Sequence, residues 1–432
     1  MESIFLLLLT IVLLILGVSW LKINPIFLLL FAGLFLGLTN GMDVKETSNS
    51  LFSGFGNTLK WIGLVIFLGT LLGEILAESG GANVIANTII SVFGKENLVY
   101  SMAFIGLLVG IPVFMDVAYL TLLPTIAALS KKTGKSALFL GLSLALSLTV
   151  SHALIPPTPG PVAVSSMFNI ELGSIIPTNF LVALAAVIPG TWLINRWSKR
   201  VASTKIAIKR DSYEEPLAKT GFKKLFPFAA LLTPILLMST GAFFNSGQGL
   251  LQFIQNPVWA LFMGLGVSLF LLKREGFSSQ LNELCGQAAS KSAIVILITG
   301  AGGAFGQIIK DTEIVNNALP QIGELNGFYL LLPFLLAMLL TSLTGSITVS
   351  LLTTASIVTP LISRAEIPPQ LITAAICAGS LGVIHVNSSF FWLFKELHQV
   401  SVTKVLKTFS VLSFIYSILA GLTVMLIYIF IA

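Results

Sequence analysis

Apolar runs of about twenty residues recur from one end of this 432-residue sequence to the other, the first at Ile4–Trp20 and the last at Phe409–Ala432. Crossing a bilayer core about 30 Å thick takes roughly 20 apolar residues of helix, and lipid offers no partner to an open backbone group. Repetition of such runs restricts the chain to a bundle of membrane helices, so the expected fold class is all-α and polytopic. Composition agrees: 55% of the residues are hydrophobic, 10% are charged, and mean hydropathy is +0.96. A soluble domain of this size would need more charge to cover its surface. The first run has only Glu2 ahead of it and no small-residue cleavage site behind it, so it reads as a retained span and not as a signal peptide.

Charge divides the chain. Nine of the 24 lysines and arginines fall between Arg196 and Lys224, together with three acidic residues. The net charge of +6 therefore marks topology, as a cytoplasmic loop, rather than a nucleic-acid partner. The expected organisation is a first transmembrane repeat over 1–195, a basic linker over 196–224 and a second repeat over 225–432. Gly69 and Gly302, Gly73 and Gly306, and His152 and His385 are each 233 residues apart. In both halves a glycine-rich segment precedes an apolar stretch long enough for a hairpin, then a helix that ends at a histidine. Each half crosses an odd number of times in this parse, so the halves run in opposite directions. Counting charges tests the parse: 20 basic residues fall inside, against Lys45, Lys60, Lys310 and Arg364 outside.

Breaks at matching places in two halves point to a binding site, because irregular backbone at membrane depth survives only within protein or beside a water-filled cavity. The first is Ser151-His-Ala-Leu-Ile-Pro-Pro-Thr-Pro-Gly-Pro161, with four prolines and a glycine in six residues; it supplies Ser151, His152, Thr158 and Gly160 as candidates. Its counterpart, Gly379–Ser389, supplies His385, Asn387 and Ser388. A third segment, Thr341–Thr348, gathers Thr344, Gly345, Ser346 and Thr348 in mid-hairpin, where small-residue packing is the competing reading. Its first-half equivalent, Gly110–Val117, carries Asp116 among apolar residues. Ionisable residues within spans default to functional readings. Asp116, His152 and His385 are the proton candidates, with structural hydrogen bonding the alternative. Glu74 and Glu78 read as a solvated face near the end of a span. No lysine or arginine falls at the middle of a confident span, so anion binding would rest on backbone N–H groups and helix N-termini at the breaks. Cys285 and Cys377 read as packing residues, and no metal or cofactor is expected.

Together the segments GFGNTLKWIGLV, LAESGGA, SHALIPPTPGPVA, TGAGGAFGQII, TGSITVSLLTTASIVTP and AGSLGVIHVNSSFFWLFKEL resemble the gluconate permease family of bacterial carriers, within the ion-transporter superfamily. The resemblance implies proton-coupled uptake of sugar acids or related small hydroxy acids across the bacterial cytoplasmic (inner) membrane. It also implies a homodimer of elevator type, with a transport domain moving against a fixed scaffold. Asp116, Thr158 and Ser388 stand where the family usually has glutamate, histidine and aspartate, which widens the expected substrate to a shorter acid such as glycerate or a four-carbon sugar acid. Sodium coupling and a passive organic-anion channel are the competing functions. An intramembrane hydrolase is disfavoured because Ala378-Gly-Ser-Leu-Gly382 does not fit the Gly-x-Ser-Gly context of a serine membrane protease.

Overall fold

The computed structural model describes residues 6, 9–10, 12–14, 16–17, 20–198, 225–243, 249–312, 328–362, 367–386 and 388–431. Asn387, Arg364 and the basic stretch from 199 to 224 lie outside the described residues. Among the described residues there is no strand.

Helix α1 (Pro25–Thr39) opens with a proline at its first position, and the Asn24 side chain accepts from the Ile26 N–H at 2.9 Å. A capping box formed by Asp43 and Glu46 starts α2 (Val44–Glu78), satisfying two donors that would otherwise be orphaned at the helix end. Gly80 in the left-handed conformation then turns the chain into α3 (Gly81–Phe93). A pair of helices, α4 (Leu98–Val109) and α5 (Met115–Thr133), forms a hairpin about the proline-containing turn 110–114. Helix α6 (Ala137–Leu154) breaks at 155–158 into α7 (Pro159–Met167), and α8 (Leu172–Ser198) closes the half.

Beyond α9 (Leu225–Phe243), α10 (Leu250–Gln255) and α11 (Pro257–Leu269), the same order returns. Helix α12 (Phe277–Asp311) has 35 residues, as α2 has. A second hairpin joins α13 (Phe328–Thr344) to α14 (Ile347–Ile362) through Gly345, whose φ of +72° suits glycine. A second broken pair follows, α15 (Pro369–Ser380) and α16 (Ser389–His398), and then α17 (Val402–Ile431), which contains a π-helical turn over Leu406–Ser410.

By length and composition, Ala137–Met167, Leu172–Ser198, Phe277–Asp311 and Val402–Ile431 are apolar enough to cross a bilayer. The bent pair Val44–Lys60 and Gly63–Glu78 makes a fifth. All of α6 is buried, and so are all four residues of the break after it. By contrast α8 and α17 expose Leu181, Ile188, Leu422 and Leu426, as lipid-facing helices do. At the first break irregular backbone thus sits inside protein, as the energetics of lipid require.

Helices α2 and α12 pack closely where both lack side chains: a Cβ on Gly54 would lie 2.6 Å from the Gly303 carbonyl oxygen. Ser50 donates to Asp311 at 2.6 Å, and Lys291 pairs with Glu74, also at 2.6 Å. Partners on α12 retreat along the chain as α2 advances, so the two 35-residue helices run antiparallel. The ion pair corrects one expectation: Glu74 is buried, at 5% exposure, instead of lying on a solvated face, while Glu78 is exposed. Lys291 stands just before the apolar stretch of α12, where burial of Glu74 calls for a cation.

Candidate functional site

Both hairpin tips, the end of α6 just before the first break, and the second break converge on one cavity of about 160 Å³. From the first half it receives Phe114, Met115 and Asp116 at the start of α5, and His152 in the last turn of α6. The second half contributes Gly345, Ser346, Ile347 and Thr348 from the turn into α14, then Ile384, Ser388, Ser389 and Phe390 from the second break.

Three helices begin at this cavity: α5, α14 and α16. The caps of α5 and α16, Phe114 and Ser388, make no side-chain capping hydrogen bond, so first-turn N–H groups there have no partner of that kind. Such helix ends carry about half a positive elementary charge each and bind anions well. Among the described residues no lysine or arginine lines the cavity. Asp116, the one acidic residue among those described there, lies in the first turn of α5, where the helix dipole favours a carboxylate. Asp116 is exposed, and its side chain makes no hydrogen bond or ion pair among the described residues. His152 is buried to 9% exposure, its ring tilted against Phe114 with centroids 6.0 Å apart.

The cavity therefore gathers six of the residues singled out in the sequence: Asp116, His152, Gly345, Ser346, Thr348 and Ser388. Others stand behind it. Ser151 is fully buried, so close to the hairpin tip that a Cβ on Gly110 would lie 2.9 Å from the Ser151 Cβ. Thr158 donates to the Ile155 carbonyl at 2.6 Å within the break. Gly160 admits Leu351 of α14, whose Cδ1 would be 2.4 Å from a Cβ there. Thr344 closes the second tip, accepting from the Ser346 N–H at 3.2 Å and donating to the Leu340 carbonyl at 2.7 Å. His385 is half-buried and does not line the cavity; its carbonyl accepts from the Ser388 N–H at 2.9 Å. Asn387 lies outside the described residues.

Polar residues on the last helix of each half steady the breaks. Asn179 of α8 donates to the Leu154 carbonyl at 2.7 Å, meeting an acceptor left open where α6 ends. In the second half, Ser413 of α17 accepts from the Ile384 N–H at 3.1 Å, and Ser417 donates to the Ala378 carbonyl at 2.8 Å. Phe114 and Met115 line the cavity from inside a segment already marked as interrupted, but sequence reasoning favoured their neighbour Asp116; Ser389, which also lines it, ends the interrupted segment whose hydroxyl and amide groups suit a hydroxylated ligand. Phe390 was missed as well. It joins an aromatic cluster, edge-on to Tyr119 with centroids 5.4 Å apart.

The model of the GntP family permease family matches residues 2–430. A gluconate permease of Pseudomonas aeruginosa is 33% identical, covering 97% of this chain and 96% of its own. An Escherichia coli D-serine transporter is 31% identical, covering 96% of this chain and 95% of its own. The Gnt-II system L-idonate transporter of Escherichia coli is 29% identical over 94% of each. Among solved structures, the YdaH transporter of Alcanivorax borkumensis shares the fold at a TM-score of 0.69 and 16% identity, over 94% of this chain and 98% of that one.

Proposed function

This chain belongs to the GntP permease family, and on that footing we propose that it is a proton-coupled carrier of a small hydroxylated carboxylate. Its relatives are named permeases and transporters, so it is a membrane transporter and not an enzyme.

The observation that carries the reading is a cavity framed by three helix N-termini, with one carboxylate and no basic side chain among the described residues that line it. Backbone donors attract an organic anion, while an ionised Asp116 repels it. Protonation of Asp116, or of His152 in the same cavity, offsets that repulsion, so a proton and the anion enter together. Thr348, Ser388 and Ser389 offer hydroxyls to a hydroxylated chain. A volume of about 160 Å³ falls below the roughly 300–1,000 Å³ of drug-sized sites, which favours acids of three to six carbons. Relatives are named for gluconate, L-idonate and D-serine, each a small hydroxylated carboxylate.

Transport proceeds by alternating access of elevator type, between two inverted repeats over 1–195 and 225–432, and not through a pore. The recurring element order and the antiparallel α2 and α12 support this reading. The protein works as a homodimer in the bacterial cytoplasmic membrane, with the basic stretch 196–224 inside. Substrate contacts come from Asp116, His152, Gly345, Ser346, Thr348 and Ser388, and from Asn387, which precedes Ser388 in the sequence. Ser151, Thr158, Gly160, Thr344 and His385 shape the segments that hold them.

Purified protein in liposomes tests coupling. An inward proton gradient alone should drive accumulation of labelled gluconate or glycerate, and unlabelled substrate on the far side should accelerate exchange. Accumulation that follows a sodium gradient instead would replace the proton with sodium. Linear uptake without exchange would make the protein a channel. If Asp116→Asn keeps gradient-driven uptake, Asp116 is not the obligatory proton site.

A second reading has its own support: an unpaired carboxylate opposite helix N-termini also suits a zwitterion, the carboxylate of an amino acid at the N–H groups and its ammonium at Asp116. D-serine outcompeting gluconate and glycerate in exchange, with Asp116→Asn abolishing D-serine binding, would favour it.

A further inference from the structure

Two buried residues outside the cavity join the elements that frame it. Tyr119 stands three residues after Asp116 in α5, and His398 ends α16, the helix that begins at Ser389. Their exposures are 0% and 3%. The Tyr119 hydroxyl and His398 Nε2 share a hydrogen bond, across the boundary between the halves. Helix α6 presses on the pair from a third side, where a Cβ on Gly141 would lie 2.5 Å from both the Tyr119 hydroxyl oxygen and His398 Nε2. Phe394 and Phe409 enclose the rest, with Phe394 4.4 Å from the His398 ring. His398 Nδ1 is buried without a partner, so the bond to Tyr119 is its side chain's one polar attachment among the described residues.

We propose that the Tyr119–His398 bond is a positioning tether, which holds the N-termini of α5 and α16 at the separation that lets the cavity grip its substrate. The proposal rests on the reading of the cavity as the substrate site. Water does not reach the pair to replace a lost partner, so the bond resists sliding of one helix past the other. It joins the first hairpin to the second break, and through Phe390, which touches Tyr119 and lines the cavity, it reaches the site itself.

Four variants test it: Tyr119→Phe, His398→Leu, the double Tyr119→Phe/His398→Leu, and His398→Gln, whose amide can still bond Tyr119. KM for exchange should rise five- to tenfold in the first three, no further in the double than in either single, with maximal rate per folded protein within twofold. Thermal midpoints should fall in the singles and recover in the double, where no polar group is left orphaned. His398→Gln should keep a KM near that of the wild type. Return of KM to the wild-type value in the double would reduce the pair to packing and overturn the tether. So would loss of gradient-driven uptake in His398→Leu with exchange intact, since His398 would then carry the proton. A second readout needs no substrate. Spin labels at Leu120→Cys and Glu396→Cys, in a Cys285→Ser background, should report a broader separation with Tyr119→Phe and an unchanged one with His398→Gln. An unchanged separation in Tyr119→Phe refutes the tether. Absence of exchange in the wild type refutes the transport reading alone.

Discussion

Gly73 offers a sharp test of how the first hairpin tip is held. A Cβ there would stand 1.9 Å from the Pro112 carbonyl oxygen, 2.8 Å from its carbonyl carbon and 3.2 Å from the Val113 Cα. All three are backbone atoms, so no rotamer change relieves the clash. Real Cβ contacts stay above 3.0 Å, and Gly73→Ala must therefore drive α2 and the tip apart by at least about 1.1 Å. Pro112 is two residues from Phe114 and four from Asp116, both at the cavity. Displacement of a positioned group by about 1 Å can cost on the order of 100-fold in enzymes, equivalent to about 2.7 kcal/mol. Gly73→Ala should accordingly lower initial uptake at subsaturating substrate by about 100-fold. Gly56→Ala is the control on the same helix: nothing lies within 4 Å of its added methyl, and helix propensity favours alanine by about 1 kcal/mol. The assay is uptake of labelled substrate into liposomes, normalised to monodisperse protein. Gly73→Ala within threefold of the wild type, or Gly56→Ala equally impaired, would refute the reasoning.

Three further outcomes follow from buried polar contacts. Lys291→Met should destabilise the protein by about 3 kcal/mol, the low end for a broken buried pair, because the Lys291 side chain keeps 35% exposure; Glu74→Met/Lys291→Met should recover most of the thermal midpoint, and equal losses in single and double would deny the coupling. Asn179→Leu removes the donor to the Leu154 carbonyl and should cost about 1–3 kcal/mol; a wild-type midpoint for Asn179→Leu would show that bond to be idle. Ser413→Ala strips the partner from the Ile384 N–H and should raise KM severalfold, with a smaller change in maximal rate. Equal KM in Ser413→Ala and the wild type would mean that Ile384 is held by packing alone.

Local features of the sequence carried much of the site. Prolines at 156, 157, 159 and 161 cannot continue a helix, and the glycines and hydroxyls around 345 and 379–389 mark interruptions with no proline at all. Those signals located the segments that bring His152, Ser346 and Ser388 to the cavity, while Asp116 stood out as a charge among apolar residues. Pairings across the fold left no such trace. Glu74 and Glu78, one turn apart, look like a solvated face until Lys291, 217 residues on, is seen against the first of them. His398 sits among aromatic residues at the end of a short helix, and nothing local announces Tyr119, 279 residues away, as its partner. Which polar residues back the breaks was equally hidden, since Asn179 and Ser413 stand in ordinary apolar spans.

Three helix N-termini at one cavity have a consequence for how such a protein can diversify. Donors in the peptide backbone are written by no codon in particular, and short of proline no single substitution deletes one. Mutation can therefore rework the side chains at Asp116, Thr348, Ser388 or Phe390, exchanging one hydroxyl pattern or chain length for another, while the backbone donors proposed to hold a carboxylate persist. A lineage built on this arrangement would drift readily among small acids without passing through an ancestor that binds none of them.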